Sequence, residues 1–153
     1  MTTARERADW GRNAEAAIRA AGLRAGGARR AVVELLARQD CCLSAREVHD
    51  ALAAAPGPTP GRASVYRALD TLAALHLVHR VDLGGPVSRY EPAHADGEHH
   101  HHAVCRRCGD VTPIEDDAVE RALHGMADRL GFRVDAHDIT LHGYCARCVQ
   151  SPE

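Results

Sequence analysis

Residues 98–109 read Glu-His-His-His-His-Ala-Val-Cys-Arg-Arg-Cys-Gly, so that four consecutive histidines run almost directly into a Cys-x-x-Cys motif. A second Cys-x-x-Cys motif lies near the C-terminus. Two such pairs can close a tetrahedral cage around zinc, because thiolates at this spacing each bind one edge of the ion. Two disulfides or a redox motif are the alternatives, and neither explains why there are two pairs. We predict a structural zinc site at Cys105, Cys108, Cys145 and Cys148.

The histidine run predicts two further groups of metal ligands. Successive side chains of an extended segment point to opposite faces, so His99 and His101 face one way and His100 and His102 the other. A solvent-exposed tract is the simpler interpretation. The run is internal, however, and leads through a β-prone Ala-Val into a cage cysteine. We therefore favour two separate metal sites that share one strand.

Length and composition limit the class of protein. The 153 residues suffice for one medium domain or two small ones, and aromatic residues make up only 3%, so a metal would help to stabilise a thin core. No apolar run approaches the ~20 residues of a membrane span, and the charged N-terminus lacks a secretory signal. We expect a cytoplasmic protein, in which clustered cysteines favour metal over disulfides.

Charge is unevenly distributed along the chain. Residues 1–80 contain 12 arginines and 8 acidic residues, whereas residues 81–153 contain 7 arginines and 13 acidic residues. The second part also holds eight of the 11 histidines. A basic part beside an acidic, ligand-rich part suggests nucleic acid at one end and metal at the other.

The N-terminal part predicts a winged helix-turn-helix domain. Helices are expected over 13–21, 28–38, from the capping box Ser44-Ala-Arg-Glu47 onward, and over 61–76 after a Thr-Pro start. Two β-prone runs joined by Gly-Gly-Pro form the expected wing. The fourth helix would enter the major groove. The candidate DNA contacts near its start are Arg62, Ser64, Tyr66 and Arg67, although an ordinary amphipathic surface is the alternative.

The C-terminal part predicts a small α/β unit of two strands, a helix over 116–130 and a third strand over 134–141. Such a unit alone would have a thin core and a bare sheet edge. Dimerisation through that edge would remedy both and would match a palindromic operator.

This arrangement resembles the Fur superfamily of metal-responsive repressors over nearly the whole chain. The matching motifs are Ser44-Ala-x-Glu47, Ser64-Val-Tyr-Arg-Ala-Leu69, the stretch from His99 to Cys108, Asp116-Asp-x-Val-Glu120, and His137 to Cys148. The resemblance implies an α+β protein: a winged-helix DNA-binding domain over 1–83 with its wing extending to about 91, a hinge over 84–98, and a metal-binding dimerisation domain over 99–153.

The resemblance also implies roles for individual residues. The four cysteines would form the structural zinc site, and Glu120 and His137 would join His99 and His101 in an additional metal site. Tyr66 and Arg67 match positions that meet DNA. Arg24 and Arg29 match basic residues that approach the backbone or minor groove.

The resemblance matches the regulatory metal site, at which relatives sense their metal, less completely than the other two sites. Relatives that sense iron or peroxide usually have a histidine where this chain has Cys42, and often a carboxylate where it has Pro113, although Glu91 does match them. Zinc-sensing relatives take ligands at or near the positions of His79 and His94. An all-nitrogen set suits Zn²⁺ and tolerates Ni²⁺ or Fe²⁺. We predict a regulatory zinc site at His79, His94, His100 and His102.

We therefore predict a homodimeric repressor of the zinc-uptake-regulator branch that binds double-stranded, palindromic operator DNA, with zinc as co-repressor. Iron-, peroxide-, nickel- or manganese-dependent regulation is the nearer alternative. Neither a small organic substrate nor a membrane is expected as a partner. A metalloenzyme is a more distant alternative, because the sequence contains neither His-Glu-x-x-His nor the deaminase motif. A protein-interaction module stabilised by zinc is the third alternative, but it would not explain the basic N-terminal half.

Overall fold

The computed structural model describes residues 4–93 and 100–150. The chain divides into two compact units, Met1–Glu98 and His99–Glu153. The elements of the first unit are α1 (Ala4–Ala20), α2 (Ala28–Leu36), β1 (Leu43–Ser44), α3 (Ala45–Ala54), α4 (Arg62–Ala74), β2 (Val78–Val81) and β3 (Arg89–Pro92). Those of the second unit are β4 (His101–Cys105), β5 (Val111–Ile114), α5 (Asp117–Leu130), β6 (Thr140–Gly143) and α6 (Ala146–Val149).

Helix α1 begins well before the predicted start at residue 13. Trp10, Ala14 and Ile18 are all buried and are spaced four residues apart. They form one face of the helix that packs into the core, although the segment is rich in charged residues. The Trp10 indole N–H donates to the carbonyl oxygen of Leu77 at 3.0 Å. The first helix is thereby joined to the turn that precedes β2.

Helices α2, α3 and α4 enclose the core of the first unit. Val32, Leu36, Val48, Leu69 and Leu72 are fully buried within it. The predicted capping box at the start of α3 is present. The Ser44 hydroxyl accepts the backbone N–H of Glu47 at 3.2 Å, and the Glu47 carboxylate accepts the backbone N–H of Ser44 at 2.7 Å.

Helix α4 differs from the prediction at its start. Its N-cap is Gly61, without a side-chain cap, rather than Thr59 followed by Pro60. The helix ends at Ala74 with Leu75 as its C-cap, and His76 takes a positive φ of 54° that turns the chain into β2.

The wing contains a third, unpredicted strand. The sheet order is β1-β3-β2, all antiparallel, and β1 contributes only the two pairs Leu43↔Tyr90 and Ser44↔Arg89. Arg89 donates to both carboxylate oxygens of Glu47 at 2.9 and 3.1 Å. The wing strand is therefore tied to the first turn of α3. Three packed helices followed by this sheet form a winged helix-turn-helix.

The second unit is a small α/β unit with sheet order β5-β4-β6. Strand β4 pairs antiparallel with β5 and parallel with β6. The strand predicted over 134–141 is wrong in extent, because regular pairing begins only at Thr140. Asp116 caps α5 by accepting the backbone N–H of Ala118 at 2.7 Å, and Gly131 ends the helix in the left-handed region at φ 61°.

The second unit has few buried side chains. Among its described residues only His101, His102, Cys105 and Ala127 are buried. Its large exposed apolar side chains include Met126, Leu130, Phe132, Leu141 and Tyr144. No helix within the described residues is long and apolar enough to cross a membrane.

Candidate metal centres and nucleic-acid interface

The four predicted cage cysteines lie together in the second unit. Their sulfur atoms are all within 4.8 Å of one another, and Cys108 Sγ and Cys145 Sγ are 3.8 Å apart. Cys105 and Cys108 lie at the turn between β4 and β5. Cys145 directly precedes α6 and Cys148 lies within it, shortly after the end of β6. Tetrahedral Zn²⁺ with Zn–S bonds of about 2.3 Å separates its sulfurs by about 3.8 Å. The cluster fits a four-thiolate ion.

Backbone N–H groups prepare part of this cage for metal. Those of Cys108 and Cys145 lower the pKa of Cys105 to about 6, and that of Cys148 lowers the pKa of Cys145. Burial and then a hydrogen bond with Cys108 raise the pKa of Cys148 to about 12. At neutral pH these shifts favour the thiolate at Cys105 and the thiol at Cys148. Ligation requires all four deprotonated, which couples metal binding to proton release.

A second cluster combines His101, Glu120 and His137. Glu120 lies in the first turn of α5, where its Oε1 is 2.8 Å from His101 Nε2 and its Oε2 is 3.0 Å from His137 Nε2. The rings of His101 and His137 have centroids 5.2 Å apart. These three of the four predicted ligands of the additional site are thus brought together. The fourth, His99, lies outside the described residues.

His100 and His102 form a separate imidazole pair. Their ring centroids are 4.8 Å apart in an edge-to-face arrangement, and His102 is only 5% exposed. Neither takes part in the cluster around Glu120, as expected from strand alternation.

His79 and His94 are the two other ligands predicted for the regulatory site. His79 is an exposed residue of β2 in the first unit, paired in register with Glu91. His94 lies outside the described residues. The predicted four-histidine set stays a prediction.

Cys42 is the buried member of two vicinal cysteines in the first unit. Cys42 is 2% exposed and precedes β1. A hydrogen bond with Cys41, followed by burial, raises its pKa. A buried thiol with a raised pKa stays neutral and is therefore a weak nucleophile.

The outer face of α4 carries the predicted DNA contacts. Arg62, Tyr66 and Arg67 are exposed, with 51% of Tyr66 accessible. Arg67 donates to the Ser64 hydroxyl at 3.1 Å, which holds the guanidinium across one turn of the helix. The opposite face buries Val65, Leu69 and Leu72. A helix anchored on one side and carrying arginines and a tyrosine on the other can enter a major groove.

Arg24 and Arg29 are the residues predicted to approach the DNA backbone or minor groove. Arg24 lies shortly before α2, and Arg29 lies in its first turn. Arg29 donates to the carbonyl oxygen of Arg24 at 3.1 Å, so the two residues are neighbours.

No role was predicted for His124 from the sequence. It lies one turn after Glu120 in α5, and its ring centroid is 6.2 Å from that of His137. The spacing of four residues from Glu120 is the signal that places it on the same face of the helix.

The fold and its ligand clusters define a class: winged-helix regulators whose second domain binds metal. A sequence model of the ferric uptake regulator family matches residues 20–142. The chain belongs to this family and is a metal-dependent transcriptional regulator rather than an enzyme. The predicted superfamily and non-enzymatic role are confirmed.

Three relatives illustrate the similarity. The ferric uptake regulation protein of Bacillus subtilis is 38% identical over 115 residues, which cover 74% of this chain and 76% of that protein. The crystal structure of the Vibrio cholerae ferric uptake regulator is 31% identical, with a TM-score of 0.72 and coverage of 84% and 97%. A zinc uptake regulator complexed with zinc and DNA is 30% identical, with a TM-score of 0.54 and coverage of 94% and 95%.

Proposed function

We propose that this protein is a zinc-responsive repressor of the zinc-uptake-regulator type, controlling metal-uptake genes. The observation that carries the proposal is the separation of two kinds of ligand in the second unit: a four-cysteine cage and, apart from it, imidazole-rich groups. Soft thiolates suit a permanent zinc, whereas imidazoles suit an exchangeable ion such as Zn²⁺. The zinc- and DNA-bound relative is the comparison that favours this branch.

The cage has a structural role in this proposal. Cys105 ends β4 and Cys108 follows it, and Cys145 and Cys148 follow β6, so one ion would join the C-terminal ends of these two parallel strands. Zinc supplies four strong bonds to a unit with few buried side chains. Its binding energy therefore becomes part of the folding free energy.

The regulatory ion is assigned to His100 and His102, with His79 and His94 as the further ligands predicted from the sequence. The cluster at His101, Glu120 and His137, joined by His99, is assigned an additional ion. Imidazole nitrogens hold such ions, and the Glu120 carboxylate offsets part of their charge.

DNA recognition is assigned to α4. Tyr66 and Arg67 would contact base edges, because guanidinium groups pair with guanine in the major groove. Arg62 and Ser64, with Arg24 and Arg29, would bind phosphates and so position the helix.

A homodimer on a palindromic operator follows from the same features. Strand β5 is a sheet edge, and the exposed apolar side chains around α5 offer a surface for a second copy. Two copies of α4 would then read two half-sites.

Regulation would work by linkage. An ion that binds the DNA-competent dimer more tightly shifts the equilibrium towards it, and DNA must then tighten metal binding by the same factor. A switch from 1:99 to 99:1 requires a preference of about 5.5 kcal/mol.

An iron- or peroxide-sensing regulator is the second candidate, because the Bacillus subtilis and Vibrio cholerae relatives are both ferric uptake regulators. In that case Glu91 would replace a histidine as ligand.

Fluorescence anisotropy of operator DNA distinguishes these functions. The protein is prepared with its cage filled, and buffered free Zn²⁺, Fe²⁺ and Ni²⁺ are titrated separately. We expect zinc to switch on binding at the lowest free concentration, and His100→Ala to abolish the response while His142→Ala retains it. Activation by Fe²⁺ and its loss in Glu91→Gln would establish the second candidate. Metal-independent binding would refute both.

A further inference from the structure

The two Cys-x-x-Cys motifs, 105–108 and 145–148, carry arginine at three of their four inner positions: Arg106, Arg107 and Arg147. We propose that Arg107 and Arg147 are positioning residues of the cage, each of which ties one motif to the other and so slows the release of zinc. This inference rests on the proposal that the cage holds zinc. It adds a reason why that ion stays bound when an exchangeable ion leaves.

The first tie runs from the first motif to the second. Arg107 Nη1 donates to the backbone carbonyl oxygen of Cys148 at 3.0 Å, across 41 residues of the chain. Cys148 lies in α6, a helix of only four residues. The last carbonyl groups of a helix have no partner within it, so the guanidinium satisfies one of them. Arg107 thereby holds the end of α6 against the first motif.

The second tie runs in the opposite direction. Arg147 Nη2 donates to Asp110 Oδ2 at 3.0 Å. Asp110 lies two residues after the first motif, and its backbone carbonyl accepts the N–H of Cys105 at 2.9 Å, which keeps it beside that motif. The same guanidinium donates to the side chain of Cys145. Arg147 therefore joins a cysteine of the second motif to the turn of the first.

Both ties are compatible with a filled cage. Arginine is protonated throughout the working pH range and only donates, so neither contact depends on an assigned proton position. The two principal acceptors are a backbone carbonyl and the carboxylate of Asp110, which leaves the four sulfur atoms available for zinc. Four thiolates around one Zn²⁺ also leave a net negative charge, which favours guanidinium groups nearby.

Arg106 allows a tie between the motifs to be separated from a simple effect of charge. It lies in the same motif as Arg107 and is equally exposed in class. Within the part of the chain that the structure describes, its side chain makes no hydrogen bond or ion pair. Arg106 therefore brings the same charge to the cage without connecting its two halves.

The test is the rate at which the full-length, reduced protein releases cage zinc to an excess of a chromogenic chelator. Release requires the two motifs to separate, so each lost tie should speed it. We expect Arg107→Ala and Arg147→Ala each to increase the rate about 2- to 5-fold, the range for exposed contacts of this kind. Arg106→Ala is the matched control and should release zinc at the wild-type rate.

A variant of Asp110 decides between a tie and charge alone. Asp110→Ala removes a negative charge beside an anionic cage, so charge alone would slow release, whereas loss of the tie would speed it. We expect release as fast as in Arg147→Ala, and no faster in the double variant, because both remove one contact. Arg147→Lys keeps a charged donor for Asp110 and should restore a rate near that of the wild type.

Three results would overturn the inference. Equal acceleration by Arg106→Ala and Arg107→Ala, or slower release in Asp110→Ala, would show that only charge matters. Wild-type rates in both Arg107→Ala and Arg147→Ala would show that neither arginine restrains the cage. A changed visible absorption of Co²⁺ in the cage of these variants would show that they alter the metal ligands themselves.

Operator binding by the same preparations separates this inference from the proposed function. Metal-dependent DNA binding with wild-type release rates in the variants would refute only the role of the arginines. Metal-independent DNA binding with faster release in the variants would refute only the repressor proposal. A wild-type protein without zinc in its cage would refute the structural zinc site, and this inference with it.

Discussion

Cys105 is the cage cysteine with the most strongly stabilised thiolate. It is 4% exposed, and the backbone N–H of Cys145 donates to its sulfur at 3.4 Å. Hydrogen bonds from backbone N–H groups favour the charged form of an acceptor. The fold therefore prepares one thiolate before any metal arrives, and this sulfur is the natural first ligand.

We expect one thiolate of the metal-free, reduced protein to titrate near pH 6, as its ultraviolet absorption would show. The pKa of Cys105 falls from an ordinary 9.0 to about 6 in the folded state. Its stabilising contribution is thus complete above pH 9, declines below that value and is lost below about pH 6. Cys105→Ser should remove this titration, and Cys41→Ser should not. A first titration only above pH 8 in the wild type would contradict the prediction.

Ser44 combines a helix cap with a wing contact, because Glu47 accepts from both Ser44 and Arg89. We expect Ser44→Ala to lower the free energy of unfolding by about 0.5–2 kcal/mol, the usual cost of a lost N-cap. Urea unfolding measures it, with the exposed Ser88→Ala as the control.

The same network predicts a pH dependence. Burial would raise the pKa of Glu47, but the hydrogen bonds from Ser44 and the charge of Arg89 lower it below its usual value. The associated stabilisation is present above the ordinary pKa of glutamate and is lost as the pH falls through the lowered value. Ser44→Ala should reduce this acid sensitivity. An unchanged profile would mean that Arg89 alone holds the carboxylate.

At the scale of single elements, α4 separates folding from recognition. Its buried face belongs to the core, while Tyr66 and Arg67 face outward. Substitutions on the outer face should therefore change DNA affinity without changing stability.

We expect Arg67→Ala to weaken operator binding by about 1–3 kcal/mol, the usual contribution of a good guanidinium–guanine pair. Anisotropy at fixed salt and saturating metal measures the loss, and thermal unfolding should be unchanged. Arg133→Ala, an exposed arginine of the second unit, is the control. Equal losses for both variants would show that only overall charge matters.

The bounds of most elements were predictable where the sequence contains residues that cap or terminate helices. The capping box fixes the start of α3, and Asp116 and Gly131 bracket α5. The start of α1 was missed because its charged residues conceal the spacing of Trp10, Ala14 and Ile18. Strand β1 was missed because a strand of two residues is too short to show an alternation of apolar and polar side chains. It exists only because β3 lies beside it.

The candidate sites follow the same rule. Cysteine spacing predicted the cage, since each half is a local motif. The approach of His137 to Glu120 was not predictable from spacing alone, because it depends on the loop that follows α5.

At the scale of the whole molecule, the two units differ in what stabilises them. The first has a core of Val, Leu and Ile side chains, whereas the second has four buried residues among those described. The second unit therefore depends on its metal ions and, in our proposal, on a second copy of the chain.

We expect removal of the cage metal to lower the melting temperature of the second unit while leaving that of the first unchanged. Trp10 is the single tryptophan of the chain and is buried in the first unit. Its fluorescence should keep its thermal transition after chelation, while circular dichroism should show a separate, earlier loss. Cys108→Ser should behave like the chelated protein, and Cys41→Ser like the wild type. One common transition under all conditions would contradict this independence.

The thin core of the second unit has a consequence for the life of the protein in a cell. A newly made chain that finds no zinc for its cysteine cage would unfold its C-terminal segment more often and so expose it to proteases. During prolonged zinc starvation the amount of repressor should then fall through degradation, as a pulse–chase experiment would show. Relief of repression would deepen over generations, and its reversal would wait for fresh synthesis.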